Sequence, residues 1–185
     1  ANYATASSLD LNGDTTFTTM TITASTGSAV AGTVTAFGDL TGTTIALADT
    51  ANNGTSQLTL DGTAAQTVSA AITASVQGDG DITVSNTVGV TFDGLIGVAG
   101  TETGTLTIGA AGKATLNKAT NVGDIVLEDN AATTLIVNAA VGIDATGSGN
   151  GRIDLGDGSI VKVGNGFASG ANVILAEGAI TDTSG

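Results

Sequence analysis

The sequence predicts an all-β chain. A β-solenoid (β-helix) fits best, with an antiparallel β-sandwich, barrel or jelly-roll as the alternative. Three observations lead there. Apolar and polar residues alternate in run after run, the period of a strand with one buried face. A pair of apolar residues two apart recurs as Leu58/Leu60, Ile82/Val84, Leu106/Ile108, Ile125/Leu127, Ile153/Leu155 and Val173/Leu175, at intervals of about 19 to 28 residues. The side chains are also small. Of 185 residues 28 are Gly and only 3% are aromatic, as suits narrow stacked coils whose corners approach closely.

Taken in order, the alternating stretches are Phe17–Thr23, Thr33–Phe37, Gln57–Leu60, Asp81–Val84, Val88–Phe92 and Thr105–Ile108. They continue with Asp124–Leu127, Thr134–Val137, Arg152–Leu155, Ile160–Val163 and Asn172–Leu175. Each is short and rich in β-branched residues, which pack well on a pleated, half-buried surface. Turn-forming pairs separate them, among them Asn12-Gly13, Asn53-Gly54, Gly78-Asp79-Gly80, Asn150-Gly151 and Asn165-Gly166. The stretch from Thr63 to Val76 holds Ala64, Ala65, Ala70, Ala71 and Ala74, good helix formers. Thr67, Val68, Ile72, Thr73 and Val76 oppose a helix, and the stretch reads as strand. Residues 1–185 form one unit with no internal boundary. At roughly 20 residues per coil the chain would make about nine coils, a body about 40 Å long at ~4.8 Å per rung.

The absences narrow function. The chain has no His, Cys, Pro or Trp. Zinc, copper, haem and iron–sulfur chemistry leans on His or Cys, and a Ser-His-Asp or Cys-His machine lacks its base. The four basic residues are Lys113, Lys118, Arg152 and Lys162, so residues 1–112 carry no positive side chain. A net charge of −13 repels phosphate backbones and acidic lipid, so neither nucleic acid nor membrane insertion is expected. No apolar run approaches the ~18 residues of a membrane span. The start at Ala1-Asn2-Tyr3-Ala4, without Met, suggests removal of a signal peptide or excision from a longer chain. Low charge with abundant Thr, Gly, Asn and Ala suits an extracellular or cell-surface protein of a bacterium or archaeon.

The cadence of Gly-Thr-Leu-Thr-Ile-Gly at 104–109, Ala114-Thr115-Leu116-Asn117, Asn138-Ala139-Ala140-Val141 and Arg152-Ile153-Asp154-Leu155-Gly156-Asp157-Gly158 resembles the β-helical passenger regions of bacterial autotransporter adhesins. It is most similar to the large surface antigens of intracellular alphaproteobacteria. The resemblance covers mainly residues 100–185 and is one of style, without a diagnostic motif. It implies a surface-exposed β-solenoid of adhesive or protective function. The chain departs from that family in being short and without a terminal membrane barrel. The expectation is a barrel elsewhere in a longer precursor, or a free subunit.

Candidate chemistry is sparse. Asp10, Asn12 and Asp14 set three oxygen ligands two apart, as calcium loops do, but Thr15 and Thr21 stand where such a loop needs Gly and an acid. Asp79 and Asp81, within Gly78-Asp79-Gly80-Asp81, resemble a fragment of a glycine-rich calcium repeat, as does Gly151–Gly158; neither supplies tandem repeats. Calcium is therefore a weak candidate at Asp10, Asn12, Asp14, Asp79 and Asp81, and no other cofactor is expected. Thr16/Thr18, Thr19/Thr21/Thr23, Thr33/Thr35 and Thr101/Thr103/Thr105/Thr107 would share strand faces as Thr ladders, an arrangement like that of ice-binding solenoids. The acid pairs Asp79/Asp81 and Asp154/Asp157 lack an aromatic platform for a sugar ring, and no catalytic residue is assigned. Neither Ala1–Leu9 nor Ala176–Gly185 reads as a polar cap. The expected function is a self-assembling structural subunit of a filament, sheath or surface layer, with itself as partner. The alternatives are an adhesin segment that binds a cell-surface receptor and, lastly, an ice-binding protein.

Overall fold

The structure is a computed structural model that describes residues 7–24, 31–49, 55–143 and 151–163, and the backbone alone of 179–182. Among these residues there is no helix, and every ladder between strands is parallel. The chain winds as a β-solenoid of about six turns. Its first face stacks β1 (Ser7–Leu11), β3 (Gly32–Ala36), β5 (Ser56–Leu60), β8 (Asp81–Val84), β10 (Thr103–Ile108), β12 (Thr120–Leu127), β15 (Arg152–Leu155) and β17 (Ala179–Asp182). The second stacks β2 (Thr15–Ala24), β4 (Leu40–Asp49), β6 (Gln66–Val68), β9 (Val90–Phe92), β11 (Lys113–Leu116), β13 (Thr134–Val137) and β16 (Ile160–Val163).

A third, shorter face follows from the register. The far half of β4, Thr44–Leu47, pairs with β7 (Ala71–Ala74), and Ile72 bridges to Ile96. Ile96 bridges to Thr120, and the start of β12 pairs with β14 (Val141–Ile143). β12 thus turns from the third face into the first with only Gly123 between Val122 and Asp124.

Alternation explains the interior. Leu9, Val34, Leu58, Ile82, Leu106, Ile125, Ile153 and Ile180 fall in one column of the first face. Leu40, Val68, Phe92, Leu116, Val137 and Val163 form another on the second face. Inward residues of the middle coils are buried while their neighbours face water, as the period of two requires. Each buried aliphatic side chain contributes roughly 1.5–3 kcal/mol against the chain entropy that folding removes.

Small residues line the corner where the third face meets the first. Gly32, Ser56, Gly80, Gly104, Gly123 and Gly151 succeed one another there, all buried. At Gly80, with φ +76°, an added Cβ would lie 2.3 Å from that of Leu47. Backbone and side chain of adjoining faces touch too closely there for any other residue.

Two expectations need correction. Nine coils are too many, because successive offsets in the first-face column are 25, 24, 24, 24, 19, 28 and 27 residues. Three faces and three corners require more chain than 20 residues; only the Leu106-to-Ile125 step falls below this, because β12 spends one residue on its corner. The coil also has room for a ring, which the scarcity of aromatics in the sequence argues against: Phe92 is fully buried, stacked between Val68 and Leu116, and Ala114 lies level with its neighbour Val90. Val173/Leu175 lies outside the described residues, and it is Ile180 of β17 that stacks on Ile153.

Candidate functional site

The five calcium candidates occupy two separate corners. Asp10 lies outward on β1, level with Thr35, and Asn12 follows at the exposed first corner. Asp14 is committed to the next coil, its Oδ1 accepting the Asp39 N–H at 3.0 Å. At the other corner the two acids part company. Asp79 Oδ2 accepts from Ser75 Oγ at 3.0 Å and from the Val76 N–H at 3.2 Å, closing its own turn. Asp81 Oδ1 accepts the Thr105 N–H one coil on, at 2.9 Å. Burial pushes the Asp81 carboxyl above its ordinary value, and the Thr105 hydrogen bond opposes that shift. Among the described residues no three His, Cys, Asp or Glu side chains gather as a metal site. Asp154 lies 3.4 Å from the Arg152 guanidinium, and the Asp157 N–H donates to Asp129 Oδ1 at 2.9 Å.

These contacts share one form that sequence reasoning missed. A carboxylate accepts the backbone N–H of a residue one coil later: Asp14 from Asp39, Asp39 from Thr67, Asp81 from Thr105, Asp124 from Arg152, and Asp129 from Asp157. The donors lie in corners, as Asp39 and Asp157 do, or among the first residues of a strand, as Thr67, Thr105 and Arg152 do, and an unpaired donor is costly where water is excluded. The acid excess is therefore in good part structural. Its signal in the sequence is the recurrence of Asp at coil-length intervals, as in Asp14/Asp39 and Asp129/Asp157.

A second device sits between the first and second faces. Gln66 and Asn86 are buried together there. Gln66 Nε2 donates to the carbonyls of Ala36 and Gly38, at 3.0 and 2.9 Å. Its Oε1 accepts from the Gly62 N–H and Asn86 Nδ2, both at 2.8 Å. Asn86 Oδ1 accepts from the N–H groups of Val88 and Gly89. Thr133 serves the equivalent corner further along, accepting the Ala111 N–H at 2.9 Å. These side chains are fully used in joining coils. Glu102 is different: Oε1 accepts the Gly100 N–H at 2.6 Å, and Oε2 is buried without a hydrogen-bond partner.

What remains available is surface. Thr35, Thr59, Thr83 and Thr107 stand on four consecutive outward rungs of the first face, and Thr67, Thr91 and Thr115 on three of the second. Gln57 and Asp81 interrupt the neighbouring column between Thr33 and Thr105, so the face is no uniform array of hydroxyls.

The ends are apolar. In the first rung Leu9 is 55% exposed, and Leu11, Phe17 and Met20 are only partly buried against the core. A cleft of about 200 Å³ opens there, lined by Leu9, Ile22 and Val34 among others. In the last second-face rung the inward Val161 and Val163 are 37% and 62% exposed. Among the described residues β1 pairs only with β3, β2 with β4, β16 with β13 and β17 with β15, so each has one open edge.

Fold and surface together define a parallel β-solenoid whose coils are joined by side-chain-to-backbone contacts and whose outermost strands, among the described residues, pair on one side only. No protein-family profile, curated protein or solved structure matches the chain.

Proposed function

We propose that this chain is a non-enzymatic structural block of an extracellular or cell-surface assembly, and that its end rungs continue the ladder into a neighbouring copy. The observation that carries the reading is the pair of open ends. At both, core columns that are dry in the middle of the stack reach solvent, beside a strand edge that has no further partner among the described residues. A strand edge of that kind is a template for another strand, and unlike ends joined head to tail propagate as a thread. The charges suit such a joint, with Asp10 and Asp14 at the first corner and Lys162 on the last second-face strand.

The test is electron microscopy and sedimentation of the purified chain across salt concentrations. Threads one solenoid wide are expected, more readily at higher salt, where repulsion between copies of charge −13 is screened. Compact monomers under all conditions would overturn the reading.

The adhesin segment is the second reading, and one observation favours it. The stretches that resemble autotransporter passengers fall on stacked rungs, with Gly104–Gly109 covering most of β10, Ala114–Asn117 most of β11, and Arg152–Gly158 containing β15. In that case further coils of one polypeptide would cover the ends, and the outward faces would meet a receptor. Saturable binding of the labelled chain to cells, with no threads formed, would favour it over the first.

A further inference from the structure

We infer that Asn12-Gly13 is a self-modification site, at which the folded protein converts the Asn12 side-chain amide into a free carboxylate by way of a cyclic imide. The inference is independent of how the ends are joined. Asn12, Gly13 and Asp14 are all exposed at the corner between β1 and β2. The Gly13 N–H donates to no acceptor among the described residues, and the position a Cβ would take at Gly13 has nothing within 4 Å. The glycine nitrogen is thus free of a hydrogen-bond acceptor, at an exposed position next to the Asn12 side chain.

The chemistry needs only water. The Gly13 backbone nitrogen attacks Asn12 Cγ and loses its proton; the Cγ–Nδ2 bond breaks and ammonia leaves. Water then opens the cyclic imide: attack at the side-chain carbonyl gives Asp, and attack at the main-chain carbonyl gives isoaspartate, whose main chain runs through the former side-chain carbonyl with one extra methylene. No electron changes hands. The product adds a negative charge between Asp10 and Asp14, on the segment from which Asp14 reaches Asp39.

The fold distinguishes this pair from Asn150-Gly151 and from two of the Asp-Gly pairs. The Gly151 N–H is held by the Gly123 carbonyl at 3.1 Å, and Gly151 is buried. In the Asp-Gly pairs at 61–62 and 93–94, the Gly62 nitrogen donates to Gln66 Oε1 and the Gly94 nitrogen to the Val68 carbonyl. Folding should therefore slow reaction at 150–151 and leave 12–13 untouched.

The experiment incubates folded and urea-unfolded protein in mildly alkaline buffer made with heavy-oxygen water, followed by peptide mass mapping and an isoaspartate assay. At Asn12 the folded and unfolded rates should agree within a few-fold, with label incorporated in both. At Asn150 the folded rate should fall well below the unfolded one. Gly13→Ala, which the open space around Gly13 accommodates, should keep the melting temperature and lose most conversion at position 12. An Asn12 amide that survives folded while it converts unfolded would overturn the inference, as would equal conversion in Gly13→Ala.

Discussion

Truncating one column at two heights separates a core from an end. Leu106 is fully buried, stacked between Ile82 and Ile125 in the middle of the first face. Leu106→Ala removes three carbons, worth about 2.4 kcal/mol at roughly 0.8 kcal/mol each, and leaves a cavity that rungs held on both sides cannot close. A total loss of about 3–4 kcal/mol follows. Leu9 heads the same column but is 55% exposed, so Leu9→Ala in the isolated chain should cost only about 1 kcal/mol. Urea unfolding of both variants at low protein concentration gives the comparison, provided the slopes match. Hydrogen exchange adds the location, because coils interact mainly with their neighbours. Leu106→Ala should open β8, β10 and β12 first, and Leu9→Ala only the first rung. Equal losses from the two variants would refute the picture of a dry centre and a wet end.

Other perturbations test the corners. Gly80→Ala forces a Cβ against Leu47 at φ +76° and should cost at least about 2 kcal/mol in thermal or chemical unfolding. Asn86→Leu strands the N–H groups of Val88 and Gly89 and takes a donor from the Ala64 carbonyl and from Gln66 Oε1, and should cost about 3 kcal/mol or more; Asn117→Leu, in a more exposed chain of amides, should cost less than half of that. Asp81→Asn keeps an acceptor for the Thr105 N–H and removes a charge that burial disfavours. A carboxyl raised in the folded state favours folding when protonated and loses that advantage as pH rises through its folded value. The variant should therefore melt above the parent at neutral pH, with the gap closing as pH falls below the ordinary Asp range. A gap that widened in acid would contradict the assignment.

Much of this fold was legible in the sequence, and what was missed has physical causes. The alternating runs at Thr33–Phe37, Gln57–Leu60, Asp81–Val84 and Thr134–Val137 lie on β3, β5, β8 and β13, because an inward-outward period of two is imposed by the strand itself. The repeat of apolar pairs from Leu58/Leu60 to Ile153/Leu155 proves to be one stacked set of rungs, and its uneven intervals are the coil lengths. The helix formers of Thr63–Val76 yielded to tertiary pairing, as β6 and β7 show. The third face escaped notice because its rungs shrink to single bridges at Ile96, too short to leave a period. β4 was not singled out because Gly42 and consecutive Thr residues blur its alternation. The candidate calcium ligands were sensible as residue types. What spacing within a loop cannot reveal is that the partner of Asp14 is Asp39 and that of Asp81 is Thr105, each a full coil away.

That distance between partners bears on how the molecule could work. Many of the side-chain hydrogen bonds join one coil to the next: the carboxylate-to-amide contacts, the Gln66–Asn86 pair, the Thr133 hydroxyl and the Asp93–Asn117–Asn138 chain. Such contacts act between neighbours, so an interior coil is held from both sides and a terminal coil from one. Among the described residues, the one-sided edges of β1 and β16 and the exposed Leu9, Val161 and Val163 lie at the two places where another rung could sit. Lengthening buries them without any new kind of contact, since each added coil repeats columns already present. The same economy supports a thread of copies and a longer stalk alike, and separating those two turns on what covers β1 and β16.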